Sequence, residues 1–441
     1  MRRILIVSPH FAPTNAPDMQ RVRMSLPYYA KYGWAATVLA VHPDDVPGTR
    51  EPELCQTYPG DTRIVRCRTI GFRWFRRLGA GTIGWSAWWP LFWAGIRLLR
   101  CERYDLVLFS STQFLILPLG IFWRALFRVP YLIDLQDPWR TDYYERPGAP
   151  PPPGGWKYQI ARLCALFGEA PSYRLASGFM SVSPQYLLDL RQRYPWFAKK
   201  PQQTILFGSS TSDLVRAQQR GVAPTAFAKE PPGSLRLVYT GVAGPIMRES
   251  LGALFAALRA LRQRQPVVAH KLRFYFFGTS YAPAAFPVVQ PLAQAYGVDD
   301  QVYEMPQRIG HLASLALLHQ ADVLILPGTN DPAYSPSKIY AYFLSQKPIL
   351  GIARRGSQLA VLLAQLGGAR EILTLEDESH GAASEQIAQY LAEVATGSIP
   401  VPTRPRNESW FTEHCLAENL TRRQCVLFEQ CLTDGVSRTA H

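Results

Sequence analysis

Residues 321–350 read ADVLILPGTNDPAYSPSKIYAYFLSQKPIL, and this stretch decides the fold. Val323 to Pro327 is a short apolar run after the polar Gln320, and Gly328, Asn330, Asp331 and Pro332 break it, so it reads as a buried strand ending in a loop. A helix should follow. Ser335 suits an N-cap, Pro336 suits the first helical position, where a missing N–H costs nothing, and Ile339, Tyr342 and Phe343 form an apolar stripe. Lys347 and Pro348 end the helix, and Ile349 to Ile352 starts the next strand. In such a unit the free N–H groups at the helix start face the carboxyl ends of the strands, where anions bind. Ser337 adds a hydroxyl there and Lys338 a positive charge. A lysine at that end opposes the helix dipole and asks for a compensating anion, which points to phosphate. A lysine that only points to water remains the alternative.

A chain of 441 residues, 47% hydrophobic, is too long for one core and implies two domains. Its 47 Lys and Arg against 33 Asp and Glu give a net charge of +14, which favours an acidic partner such as anionic lipid or a phosphorylated substrate. The charge is spread along the chain and no zinc-finger, ribonucleoprotein or basic-zipper signature occurs, so nucleic acid is not the expected partner. The 7 cysteines are scattered without C-x-x-C, which indicates neither a disulfide framework nor a zinc site and fits a reducing cytosol. The start, MRRILIVSPH, is too short in apolar residues for a signal-peptide core.

Along the chain, Ile4 to Val7 reads as a buried parallel strand, Met19 to Tyr32 as a helix and Val38 to Val41 as the next strand. The first turn lacks G-x-G-x-x-G, so a dinucleotide there is not expected; its loop can instead line a cleft with His10, Asn15, Asp18 and Arg21. Phe72 to Leu99 carries a dense run of tryptophans beside Arg73, Arg76 and Arg77. Gly79, Gly81, Gly84 and Pro90 interrupt it, so peripheral contact with a membrane surface is expected rather than a span, with an ordinary packed helix as the alternative. Tyr104 to Ser110 and Pro130 to Leu135 are further strands. Asp137, just past the second, is a candidate catalytic or acceptor-binding carboxylate, with Asp134 next to it in rank. The proline-rich 148–155 reads as a loop or lid, and Thr204 to Phe207 as the last strand of the first domain. Residues 208–234 lack apolar periodicity and read as a linker. The second domain opens with a strand at Leu235 to Tyr239, then Gly241 and Gly244, which allow close backbone approach, and Arg248, a second cation. Strands at Leu272 to Phe277 and Gln301 to Met305 and a helix at Ile309 to Gln320 continue the alternation, and Ser409 to Leu432 reads as one long amphipathic helix.

The motifs SPHFAP (8–13), DLQDPW (134–139), ILFGSSTSDL (205–214), YTGVAGP (239–245), HLASLALLHQADVLILP (311–327) and SPSKIYAYFLSQKPIL (335–350) together resemble the glycosyltransferase family 4 type, of GT-B fold. The resemblance implies two facing Rossmann-like, doubly wound α/β domains: an acceptor domain over 1–207, a donor domain over 235–400 and a C-terminal crossover helix within 401–441. It implies that Gly241, Gly244, Arg248, Ser337 and Lys338 lie near the diphosphate of a nucleotide sugar, and that Asp137, with His10 and Arg21, lies on the acceptor side, where the reading of the residues also puts Asn15 and Asp134. Retention of anomeric configuration is a further implication. The chain departs from the family at two glutamates eight positions apart, which are here Ala333 and Ala341; Asn330, Asp331 and Tyr340 are the neighbouring groups left for the donor. Losing a charged hydrogen bond costs about 1.5 to 3 kcal/mol, so the site is weakened rather than abolished. The expected function is a metal-independent, cofactor-free glycosyltransferase, acting from the cytoplasmic face of the membrane on a lipid-linked or polysaccharide acceptor in bacterial cell-surface glycan synthesis. The alternatives are a non-catalytic partner or scaffold of a glycan assembly complex and, less favoured, a sugar-nucleotide epimerase.

Overall fold

The computed structural model describes residues 1–71, 83–140, 155–221, 224, 226–280, 286–331, 336–374, 381–398 and 401–437. Ser335, Ala333, the glycines at 79 and 81, the arginines at 73, 76 and 77, and the proline run 148–154 lie outside them. The chain divides into two compact units, Met1–Phe207 with Ala417–His441, and Gly208–Leu416.

The first unit is built on a seven-stranded sheet in the order β3-β2-β1-β4-β5-β6-β7. Its strands are β1 (Arg2–Val7), β2 (Trp34–Val41), β3 (Arg63–Cys67), β4 (Leu106–Ser110), β5 (Tyr131–Leu135), β6 (Gly178–Ser181) and β7 (Gln202–Thr204). Every pairing is parallel. The order reverses between β1 and β4, so the loops that follow these two strands part and leave a crevice at their carboxyl ends. The second unit repeats the plan with six strands in the order β10-β9-β8-β11-β12-β13, where β8 is Leu235–Thr240, β9 Leu272–Phe277, β10 Val302–Met305, β11 Val323–Pro327, β12 Ile349–Arg354 and β13 Ala369–Thr374. Its switch point lies between β8 and β11. Both central strands of each sheet are apolar runs buried on both faces, as parallel strands between helix layers must be.

Several expectations need correction. The helix expected over Met19 to Tyr32 stops after Gln20–Ser25, because Pro27 has no N–H to continue it and the chain turns before a short 3-10 segment at Ala30–Tyr32. The last strand of the first sheet is Gln202–Thr204 rather than Thr204 to Phe207. The segment read as a linker carries the helix Thr211–Arg220, whose N-terminus is capped by Ser210 Oγ accepting from Asp213 N at 3.4 Å. The single C-terminal helix is two: Glu408–Cys415 closes the second unit, Leu416 is extended, and Ala417–Ser437 returns to the first. Gly84 and Pro90 do not interrupt the tryptophan-rich segment; the helix Ile83–Cys101 runs through both. Pro90 cannot donate to the Ser86 carbonyl, and Ile70 N supplies that bond instead at 3.0 Å. Among the described residues no helix is long and apolar enough to cross a membrane.

Candidate functional site

In the second unit the functional groups gather at the switch point. The helix after β11 begins at Lys338 rather than at Pro336, with Ser337 as N-cap residue making no side-chain cap bond. Ile339, Tyr342 and Phe343 are buried as the stripe requires. Tyr342 Oη accepts from Thr240 N at 3.0 Å and so pins the helix to the end of β8. This leaves Lys338 and Ala341, three residues apart, on the partly exposed side of the helix. Lys338 lies over the β8 turn: its Nζ donates to Tyr239 Oη at 2.9 Å and stands 4.8 Å from the ring centroid. Tyr239 Oη in turn donates to Val242 O at 2.6 Å. Solvent still reaches the lysine, yet its ammonium sits in a recess of protein atoms, and this loss of water pushes its pKa down to about 8. Among the described residues no carboxylate pairs with it.

Gly241 makes that placement possible twice over. Its φ of +126° disfavours any side chain, and a Cβ there would lie 2.1 Å from Lys338 Cε. Gly241→Ala is expected to push the lysine out of its seat. Gly244, by contrast, is extended and has open space around it. Arg248 is exposed at the first residue of the helix Arg248–Arg264. Asn330 joins the two loops of the switch point, donating from N to Ile246 O at 2.9 Å and from Nδ2 to Glu249 Oε1 at 3.0 Å, so its amide is already engaged. Asp331 is half-buried and partnered. Tyr340 is buried in the core, 1% exposed, and is not placed to meet a ligand at the helix face.

In the first unit a polar network fills the crevice between the β1 and β4 loops. Asp18 is its centre. His10 Nδ1 lies 2.9 Å from both Asp18 carboxylate oxygens, Ser111 Oγ donates to Oδ2 at 3.1 Å, and Thr112 N and Oγ1 each donate at 3.3 Å. Burial alone would raise the Asp18 pKa, but the charge and hydrogen bond of His10, with Thr112 and Ser111, hold it below the usual carboxylate range. Gln136 Nε2 links this group to a second one, donating to Asp18 O at 2.9 Å and to Asp134 Oδ2 at 3.0 Å. Asp134 Oδ2 also accepts from Ser110 Oγ at 2.8 Å and faces Arg21 Nε at 2.9 Å as a buried ion pair. Arg21 reaches on to the carbonyls of Ile205 and Leu206.

Three residues expected on the acceptor side are therefore structural: Asn15, bonded to Glu51 and Gln20, and the buried pair Arg21 and Asp134. His10 and Asp137 remain available. Asp137 is exposed at the rim of a narrow recess that it lines with Trp139, Arg140 and Glu169, and desolvation there, then the Asp18 charge, push its pKa up to about 6. Sequence reasoning missed Tyr239, Gln136 and the hydroxyls of Ser111 and Thr112. The polar S-S-T after the apolar β4 was the one signal that could have found the last two.

The model of the glycosyl transferase 4-like domain matches residues 20–201. No curated protein sequence matches the chain. Among solved structures it is similar to HepE of Anabaena in complex with UDP-glucose (16% identity, TM-score 0.51, 99% of this chain and 100% of that one). It is also similar to a UDP-forming trehalose-phosphate synthase of Burkholderia vietnamiensis (12%, 0.54, 99% and 100%). A third similar structure is the N-terminal domain of trehalose-6-phosphate phosphatase from Candida albicans (11%, 0.56, 99% and 97%). The chain is thus a two-domain protein of the GT-B class. Residues 20–201, within its first unit, are similar to the glycosyl transferase 4-like domain.

Proposed function

We propose that the protein is a glycosyltransferase that takes a sugar from a nucleotide-diphosphate sugar, with the second unit holding the donor and the first the acceptor. The observation that carries this reading is Lys338: a recessed ammonium without a carboxylate partner among the described residues, seated on a glycine turn at the β8/β11 switch point. Such a charge is what a diphosphate would neutralise, and with Arg248 it would stabilise the leaving group in the transition state without a metal or cofactor. Ser337 and Gly244 would add a hydroxyl and open backbone beside it. Ala341, on the same helix face, offers nothing to a ribose. A thermal-shift screen against uridine, guanosine, adenosine and thymidine diphosphates and their sugar conjugates tests the reading: stabilisation by one base series is expected. Silence from all of them would favour the non-catalytic partner of a glycan assembly complex.

The acceptor belongs to the same proposal. Trp85, Trp89 and Trp93 recur every four residues along Ile83–Cys101 and are 39%, 56% and 61% exposed. Phe122 and Leu126 of the helix Leu119–Phe127 extend the patch, with Phe122 edge-on to Trp88 and Phe92. Beside Trp93 an open groove is lined by Arg63, Arg66 and Arg97. Indole rings next to guanidinium groups suit an anionic bilayer surface, which supports a lipid-linked acceptor in bacterial cell-surface glycan synthesis, reached from the cytoplasmic face. The protein is expected to float with phosphatidylglycerol vesicles at low salt, and the Trp85/Trp89/Trp93→Ser variant to lose more than about tenfold of that binding. Equal flotation of the two would show that this patch does not bind the membrane.

A further inference from the structure

We propose that the outer face of three helices of the first unit lies flat on an anionic bilayer, with an apolar stripe of the helix Trp156–Leu175 as a second line of contact. The inference rests on the membrane reading above and extends it to a helix outside the tryptophan-rich segment.

The stripe is on the wrong side for a core. Trp156, Ile160, Leu163 and Phe167 follow at steps of four, three and four residues, which puts them on one side of the helix. Such a stripe ordinarily faces the interior of a protein. Here the buried side is the opposite one, formed by Ala165, Glu169, Ser172 and Tyr173, while all four stripe residues are exposed, Phe167 by 78%.

The topology shows what else shares this surface. The chain passes from β3 to β4, from β4 to β5 and from β5 to β6 in one direction across the sheet, and right-handed crossovers in one direction put their helices on one face. Ile83–Cys101, Leu119–Phe127 and Trp156–Leu175 therefore form one layer, and their inner sides meet in a single core through Leu91, Trp123 and Tyr173. The middle helix packs against both of the others. On the outer side the first helix carries Trp85, Trp89 and Trp93, the middle one Phe122 and Leu126, and the third the Trp156 stripe.

Charge decides the occupant. The three helices hold one acidic residue, Glu169, which is buried and bonded to Arg193 and Tyr194. Arg97, Arg100, Arg128, Arg162 and Arg174, on or beside them, are exposed. An apolar surface ringed by guanidinium groups, without an exposed carboxylate, fits anionic headgroups above acyl chains. It does not fit a second copy of itself, because like charges would meet. Contact along both outer helices lays the sheet along the bilayer, so the crevice at the carboxyl ends of β1 and β4 opens along the membrane surface. An acceptor sugar held to the bilayer by its lipid would enter that crevice from the side.

Flotation of the full chain with phosphatidylglycerol vesicles, and separately with phosphatidylcholine vesicles, tests this. Wild type is expected to bind the first at least about tenfold better than the second. Ile160/Leu163/Phe167→Ser should lose more than about tenfold of the phosphatidylglycerol binding, with the melting temperature of wild type because the three side chains are exposed. Phe167→Glu alone should lose about threefold or more, and serves if the triple variant misfolds. If the triple and single variants float like wild type while Trp85/Trp89/Trp93→Ser does not, the second contact is overturned and the tryptophan patch stands. A wild type that does not float with phosphatidylglycerol overturns the membrane reading and this inference together. A wild-type dimer in sedimentation that the triple substitution splits would assign the stripe to a second copy and overturn the bilayer contact.

Discussion

Replacing Lys338 by methionine is expected to weaken nucleoside diphosphate binding about tenfold to a hundredfold, the value of one charged hydrogen bond. The folded protein should not suffer. Lys338 has its pKa lowered to about 8 by desolvation. Between that value and the unfolded one near 10.5 the unfolded chain holds the extra proton, so this lysine's contribution makes stability rise with pH, and below about 8 its charge is a burden on the apo protein. Methionine keeps the stem that packs over Gly241 and removes the burden, so the apo melting temperature at neutral pH should hold or increase while the ligand-induced shift disappears. The wild-type affinity should fall as pH rises through about 8, earlier than an ordinary lysine allows, and that slope should vanish in the variant. Fluorescence or calorimetric titration at pH 7 and 9 reads both effects. An unchanged affinity in Lys338→Met would move the anion away from this turn.

The second large effect is on stability. Asp134→Ala is expected to cost about 3 to 5 kcal/mol, because it strands the Arg21 guanidinium, whose side chain is 2% exposed, without its carboxylate. Ser110 and Gln136 lose an acceptor as well. On a unit of this size that corresponds to a fall in melting temperature of roughly 10 °C, which calorimetry would resolve. Arg21 also ties the chain at Ile205 and Leu206, so the damage should spread to the end of the first unit. The paired replacement Arg21→Met with Asp134→Leu should recover most of the loss, since no buried charge is left alone. If Asp134→Ala melts like wild type, the pair is not a structural keystone, and Asp134 returns to the acceptor side as first expected.

Both sheets were legible because their central strands are continuous apolar runs bounded by polar or glycine residues; Val323–Pro327 is found at the residues expected. What escaped has local causes. β3, RIVRC, is a short edge strand with arginines at two of its five positions and no fully buried residue, so it carries no core signal by itself. The helix Thr211–Arg220 is polar on most positions and owes its place to Leu214 and Ala217, which are buried in the second unit. Pro27 was visible and should have divided the first helix. At the candidate site, Lys338 could be read from its position after a strand and at a helix start. Tyr239 could not, since it meets the lysine across 99 residues. His10 and Asp18 were both seen in the β1 loop, but their pairing depends on an irregular turn through Pro13 and Pro17 that no periodicity describes. Arg21, just after the first loop, and Asp134, at the end of a strand, read as ligand-facing because charged residues at such places usually are; here each satisfies the other inside the protein.

Nucleoside diphosphate binding at the β8/β11 switch point of the second unit carries the proposed function. The most direct test is isothermal titration of the wild type and Lys338→Met with the nucleoside diphosphate chosen by the thermal-shift screen. One site per chain, weakened tenfold or more in the variant, is the result predicted. Equal affinity in both proteins, or no heat from the wild type at millimolar ligand, would contradict it.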